Sequence, residues 1–151
     1  MICGIDPGIS GALCFFYYKE RKIYIHDLPI IGKEINGKEL SKYFYDFIPE
    51  HVFLERVNSF GMGRQSAFNF GQGVGVIKGV LQSLSVPFSL VTPQEWKKFY
   101  HLSKDKNKSR STATNLFPKN SEDFQRKKDD GRAESALIAH YGYYKIKGDK
   151  K

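Results

Sequence analysis

The sequence predicts an α/β fold with a five-stranded mixed sheet flanked by helices, and three observations lead there. Three apolar segments follow one another at the N-terminus with only tight links between them. Strand-like and helical patterns then alternate. From Pro93 onward only helical periodicity remains. Strands joined by tight turns form an antiparallel meander, whereas a strand that returns after a helix lies parallel to its neighbour.

Met1 to Asp6 is the first strand, followed by the turn Pro7-Gly8-Ile9-Ser10-Gly11. Ala12 to Tyr18 and Lys22 to Leu28 are the next two, with Lys19-Glu20-Arg21 turning the chain between them. Asn36-Gly37 opens a helix over Lys38 to Phe47, with Leu40, Phe44, Phe47 and Ile48 as its apolar face; Pro49 ends it. His51 to Val57 is the fourth strand. Gln65 to Leu84 is the longest helical pattern, marked by Phe70, Val74, Ile77, Leu81 and Leu84. Gly71, Gly75 and Gly79 form a neighbouring stripe on it. Each glycine weakens a helix by about 1 kcal/mol, so the stripe suggests a closely approaching backbone, from the sheet or from a second subunit. The Gly71-x-Gly73 pair is no dinucleotide loop, because no strand feeds into it. Pro87 to Val91 is the fifth strand. Pro93 to Tyr100 makes one or two helical turns, and Ser109 to Leu116 a helix closed by Phe117-Pro118. The last helix runs from near Asp130 to about Tyr144, with Ala133, Ala136, Leu137, His140, Tyr141 and Tyr144 in 3.6-residue periodicity. With no repeat and no linker, residues 1–151 form one domain.

The net charge is +8, and its placement is informative. Between Lys97 and Lys128 stand ten basic residues against three acids, which puts +7 of the excess into one stretch. Such a block is either a polyanion footprint or a solvated segment. The longest apolar run, Ala12 to Tyr18, is far short of the roughly 20 residues that span a bilayer. The N-terminus lacks a basic leader region and carries Asp6, so no signal peptide is expected. Cys3 and Cys14 lie in apolar strands and are expected as buried thiols. His26, His51, His101 and His140 are scattered and offer no zinc cluster.

The acids carry the chemical information. Asp6 ends the first strand, and Glu55 lies near the carboxyl end of the fourth, within Val52-Phe53-Leu54-Glu55. A carboxylate in so apolar a strand is costly to bury unless paired or bound to a cation. Parallel neighbours would bring both acids to the sheet edge where α/β active sites lie. The plainer possibility is two solvated strand ends. A third group opens the last helix: Asp129, Asp130 and Glu134. Residues four apart lie about 40° apart around a helix, so Asp130 and Glu134 share a face and Asp129 points elsewhere. They repel unless a cation sits between them; the alternative is a plain N-terminal cap. An oxygen-only set suits Mg²⁺ or Mn²⁺.

These segments resemble the RuvC-type Holliday junction resolvases of the phage and bacterial branch. Gly4-Ile5-Asp6-Pro7-Gly8 is similar to their first-strand signature and Leu54-Glu55-Arg56-Val57 to their second acidic motif. Asp130-Gly131-Arg132-Ala133-Glu134-Ser135-Ala136-Leu137-Ile138-Ala139 is similar to their final helix. Thr92-Pro93-Gln94-Glu95-Trp96-Lys97 and the segment around Lys108 also match. The resemblance spans nearly the whole chain in order. It implies an RNase H-like fold, a homodimer, and nicking of four-way DNA junctions with two Mg²⁺ (or Mn²⁺) ions per site, leaving 5′-phosphates. The implied setting is the cytoplasm of a bacterium or a phage-infected cell.

By motif position the metal ligands would be Asp6, Glu55, Asp130 and Glu134, with Asp129 as the alternate to Asp130. Lys97 and Lys108 would stand near the scissile phosphate. DNA contacts are expected from Lys97, Lys98, Lys104, Lys106, Lys108, Arg110, Arg64 and Arg132. Glu134 stands where the family more often has Asp, and the last two acids are farther apart than usual. The aromatic expected soon after the second acid is not at Asn58. Phe60 takes that part, stacking on an unpaired base, or else packs within its loop.

Three rivals remain. A kinase-like or actin-like ATPase shares the fold and an Asp-x-Gly turn but needs two domains. A DNA-binding protein without catalysis leaves the acids unexplained. A related nuclease acting on flaps, forks or RNA hybrids differs only in substrate.

Overall fold

The computed structural model describes residues 1–56, 58, 60–102 and 106–148, with Lys106 by its backbone alone. Val57, Lys104 and the side chain of Lys106 therefore lie outside the described residues.

Five strands form one mixed sheet. β1 (Ile2–Asp6), β2 (Ala12–Tyr17) and β3 (Lys22–Asp27) make the antiparallel meander. β4 (Ile30–Ile31) and β5 (Glu34–Ile35) are a two-stranded hairpin apart from it. The sequence reading missed this hairpin, because two residues per strand leave no alternation to detect. After α1 (Gly37–Phe47), β6 (His51–Glu55) pairs parallel with β1. After α2 (Arg64–Ser83), β7 (Phe88–Val91) pairs parallel with β6. The strand order is β3-β2-β1-β6-β7, a five-stranded mixed sheet as the element order predicts.

Helices cover both faces. On one, α1 and α2 bury Leu40, Phe44, Ile77 and Leu81 against Cys3, Ile5, Leu13, Phe15, Val52 and Leu54. On the other lie α3 (Pro93–Phe99), α4 (Lys106–Leu116) and α5 (Asp130–Lys147). There Trp96, Ala113, Ala136 and Leu137 meet Ile2, Cys14, Phe16 and Phe53. Both cysteines are buried free thiols, as expected, and burial raises their pKa. α4 starts three residues earlier than its periodicity suggests, and the basic stretch continues as tight 3₁₀ turns at Pro118–Phe124 and Lys127–Asp129. No helix among the described residues is long and apolar enough to cross a membrane.

α5 sits unusually close to the sheet, and Gly4 is the reason. A Cβ on Gly4 would lie 2.3 Å from the Ser135 carbonyl oxygen and 2.4 Å from the Ala139 nitrogen. The stripe on α2 behaves oppositely. Nothing lies within 4 Å of a Cβ at Gly71, Gly75 or Gly79. The sheet is thus not their neighbour, and they form an open face beside the exposed Phe68.

Candidate metal centre

Strand parity places the first two acids. Alternate residues of a strand face opposite sides, so Ile2, Gly4 and Asp6 share one face of β1. Gly4 pairs with Phe53 and Ile5 with Leu54, so β6 runs in step, and Phe53 and Glu55 lie on the same side. That is the α5 side. Both strands run parallel, so both carboxyl ends reach one edge, where α5 begins. Gly131 lets that helix end approach: a Cβ there would lie 2.4 Å from the Ser10 carbonyl oxygen and 3.0 Å from Asp6 Oδ2. One turn farther on, Glu134 completes the group. Asp6, Glu55 and Glu134 each offer a carboxylate oxygen within 4.8 Å of the others.

Glu55 is the most deeply buried member, 5% exposed, with Glu134 at 8%. Burial, reinforced by the Asp6 and Glu134 charges, pushes its carboxyl from the usual 4.5 up to about 7. The Trp96 indole N–H and the Lys97 ammonium oppose this rise. Trp96 Nε1 donates to Glu55 Oε1 at 2.8 Å, wholly within the core. Lys97 Nζ lies 3.5 Å from Glu134 Oε1 and rests over the Trp96 ring. Trp96 is the site residue that sequence reasoning missed. It is the only tryptophan and directly precedes Lys97, but only tertiary structure brings its N–H to a residue 41 positions away. A capping box sets the turn of α3 that aims it: the Thr92 side chain accepts from the Glu95 nitrogen, and Glu95 accepts from the Thr92 nitrogen.

Geometry separates Asp129 from Asp130. Asp129 is buried but closed off: the Arg126 guanidinium and backbone nitrogen both donate to it. Burial pushes its carboxyl up, yet those hydrogen bonds outweigh it and hold the group below the usual value. Asp130 lies one turn before Glu134 on α5, with Arg110 Nε 3.2 Å from its Oδ1.

The expected basic residues scatter in role. Lys97 stands at the acids. Arg110 meets Asp130. Arg132 instead clamps Asp27 at the end of β3 with two 2.7 Å hydrogen bonds, tying α5 to the sheet. Lys108 is exposed; two helical residues before Arg110, it projects about 200° around α4 from it. Lys98 and Arg64 are exposed as well. Phe60 is 94% exposed, so packing within its loop does not describe it.

The donor set fits a hard divalent cation. Three carboxylates, one of them buried with a raised pKa, repel one another and supply only oxygen. Glu134 Oε1 is buried without a hydrogen bond among the described residues.

No protein-family model matches the chain, and no curated protein matches it. Solved structures do. RuvC of T. thermophilus in complex with a Holliday junction substrate superposes with a TM-score of 0.73 at 18% identity, over 97% of this chain and 95% of that one. Fowlpox virus resolvase in complex with its Holliday junction DNA gives 0.59 at 16% identity, over 97% and 99%. The yeast mitochondrial Holliday junction resolvase gives 0.53 at 21% identity, over 93% and 76%. At such identities the likeness is one of fold, and the fold is the RNase H-like one that RuvC-type resolvases share.

Proposed function

We propose that the protein is a metal-dependent DNA endonuclease that resolves four-way junctions. The observation that carries this reading is the convergence of Asp6, Glu55 and Glu134 on one sheet edge beside Lys97. The resolvase fold and the basic stretch from Lys97 to Lys128 point the same way.

Asp6, Glu55, Glu134 and Asp130 would hold two Mg²⁺ or Mn²⁺ ions. Such ions, when bound, make water a stronger nucleophile and neutralise charge on the leaving oxygen of a phosphodiester. The remaining work falls to the chain. Trp96 fixes one oxygen of Glu55 by hydrogen bond. Lys97 stands within reach of a phosphate docked at the acids. The exposed lysines of the basic stretch hold the backbone without reading sequence. Phe60 is placed to stack on an unpaired base at the junction centre. The open face of α2, with Phe68, Gly71, Gly75 and Gly79, serves self-association. A twofold dimer matches the near-twofold symmetry of a junction and nicks two strands symmetrically, leaving 5′-phosphates.

The test is cleavage of a labelled four-way junction beside duplex, flap and RNA–DNA hybrid, with Mg²⁺ and with EDTA. Paired symmetric nicks in the junction alone, only with Mg²⁺, are expected. Asp6→Asn should abolish them while circular dichroism and junction binding persist. Preferential cutting of flaps or hybrids would transfer the site to another substrate. Cleavage undiminished in EDTA would overturn the metal centre.

A further inference from the structure

We propose that Arg56 and Lys78 form a second phosphate site, which holds a phosphodiester of the DNA strand on the α2 side of the sheet while a neighbouring phosphate of that strand lies at the acids. This rests on the reading of the chain as a DNA nuclease given above.

The two residues meet at the sheet edge that carries the acids, but on the opposite face. The Arg56 N–H donates to the Val91 carbonyl oxygen at 2.7 Å, so the ladder between β6 and β7 continues through it. Alternation along the strand then puts Arg56 with Leu54, which packs on the α2 side, while Glu55 faces α5. Lys78 comes from α2, about one turn after Val74. Glu55, Arg56, Val74, Lys78 and Leu90 together line an open cavity of about 440 Å³. Arg56 also borders a neighbouring recess with Asn58 and Gln94.

The charge of this cavity is one-sided. Arg56 is exposed and Lys78 half-buried. Neither side chain has an ion pair or a hydrogen bond among the described residues. Glu55 is the only acid lining either hollow, and its carboxylate is engaged with Trp96 and the other acids. The amides of Asn58 and Gln94 add N–H donors at the rim. Two cations brought together repel unless an anion lies between them. A phosphodiester is such an anion and only accepts hydrogen bonds: Arg56 offers its oxygens a fork of donors, and Lys78 a compact charge. Neither residue belongs to the basic stretch from Lys97 to Lys128. Glu55 and Arg56 are consecutive, with Cα atoms about 3.8 Å apart, so one strand can meet both. A strand gripped on both faces of the edge crosses it in a fixed direction. Its phosphate is thereby positioned at the acids by contacts that read no sequence.

The test measures the affinity of the full chain for a labelled four-way junction in EDTA as salt is varied, for wild type, R56Q, K78Q, R56K and K19Q. Lys19 lies in the turn between β2 and β3, at the far end of the sheet. R56Q and K78Q should each flatten the slope of log affinity against log salt by about 0.9, so that a fourfold rise in salt costs them about threefold less affinity than it costs wild type. R56K and K19Q should keep the wild-type slope. A merely structural role for either residue would weaken binding without moving the slope. A wild-type slope in R56Q or in K78Q, or an equal flattening in K19Q, would overturn the proposal and leave the nuclease reading standing. Wild type that binds no junction even at low salt would overturn both. Circular dichroism checks folding; should one of the two glutamine variants fail to fold, the other carries the test.

Discussion

Glu55 stores an electrostatic penalty that a single isosteric change should release. Its carboxyl sits at about 7 in the folded chain against a usual 4.5, chiefly because it is buried. Below about pH 4.5 both folded and unfolded chains keep the proton, and Glu55 costs nothing. Between pH 4.5 and 7 the unfolded chain loses its proton first, so stability falls as pH rises. Above about 7 both states are ionised and the full penalty stands. At about 1.4 kcal/mol per pH unit, the rise amounts to ~3 kcal/mol. Glu55→Gln removes the charge and keeps an oxygen to accept from Trp96. In EDTA near pH 8 it should be more stable than wild type by up to ~3 kcal/mol, which in a domain of this size is roughly 6–12 °C in melting temperature. Near pH 4 the two should melt together. Mg²⁺ should raise the wild-type melting temperature at pH 8 and leave that of the variant nearly unchanged. Thermal melts at both pH values, with EDTA and with Mg²⁺, read all of this. A variant less stable than wild type at pH 8, or equally favoured at pH 4, would refute the reasoning.

Particular residues carry the remaining predictions. Gly131→Ala drives a methyl group into the Ser10 carbonyl and Asp6, so it should cost about 1–3 kcal/mol and depress cleavage. Gly75→Ala points into open space and should add up to ~1 kcal/mol to helix stability, while a sizing column shows weaker self-association if α2 is the dimer face. Trp96→Phe loses the hydrogen bond to Glu55; it should lower stability by about 1–3 kcal/mol and weaken Mn²⁺ binding. Trp96 is the sole tryptophan, so Mn²⁺ should quench wild-type fluorescence, and Asp6→Asn should abolish that quenching. Lys108→Ala should reduce the slope of log affinity for DNA against log salt by about 0.9; an unchanged slope removes Lys108 from the interface.

The sequence by itself determined the class of sheet and named the acids. Short links put β1, β2 and β3 into a meander, and a helix before β6 made that strand parallel to another of the sheet. Helical spacing set Glu134 and Asp130 one turn apart. These are local periodicities, which any window of the chain contains. The β1–β6 register that leaves Asp6 and Glu55 on one face belongs to the folded sheet.

What tertiary structure alone decided are contacts between distant segments. Asp129 and Asp130 are adjacent in sequence, yet Arg126 closes one while Arg110 meets the other. Arg132 clamps Asp27, 105 positions earlier. The glycines of α2 could have faced the sheet or the outside, because a stripe on a helix does not say what lies beside it. Trp96 became part of the site through a donor that crosses the core to Glu55. Periodicity tells which way a side chain points; only packing supplies what it meets, and the pKa of Glu55 and the pairing of Arg110 depend on that meeting.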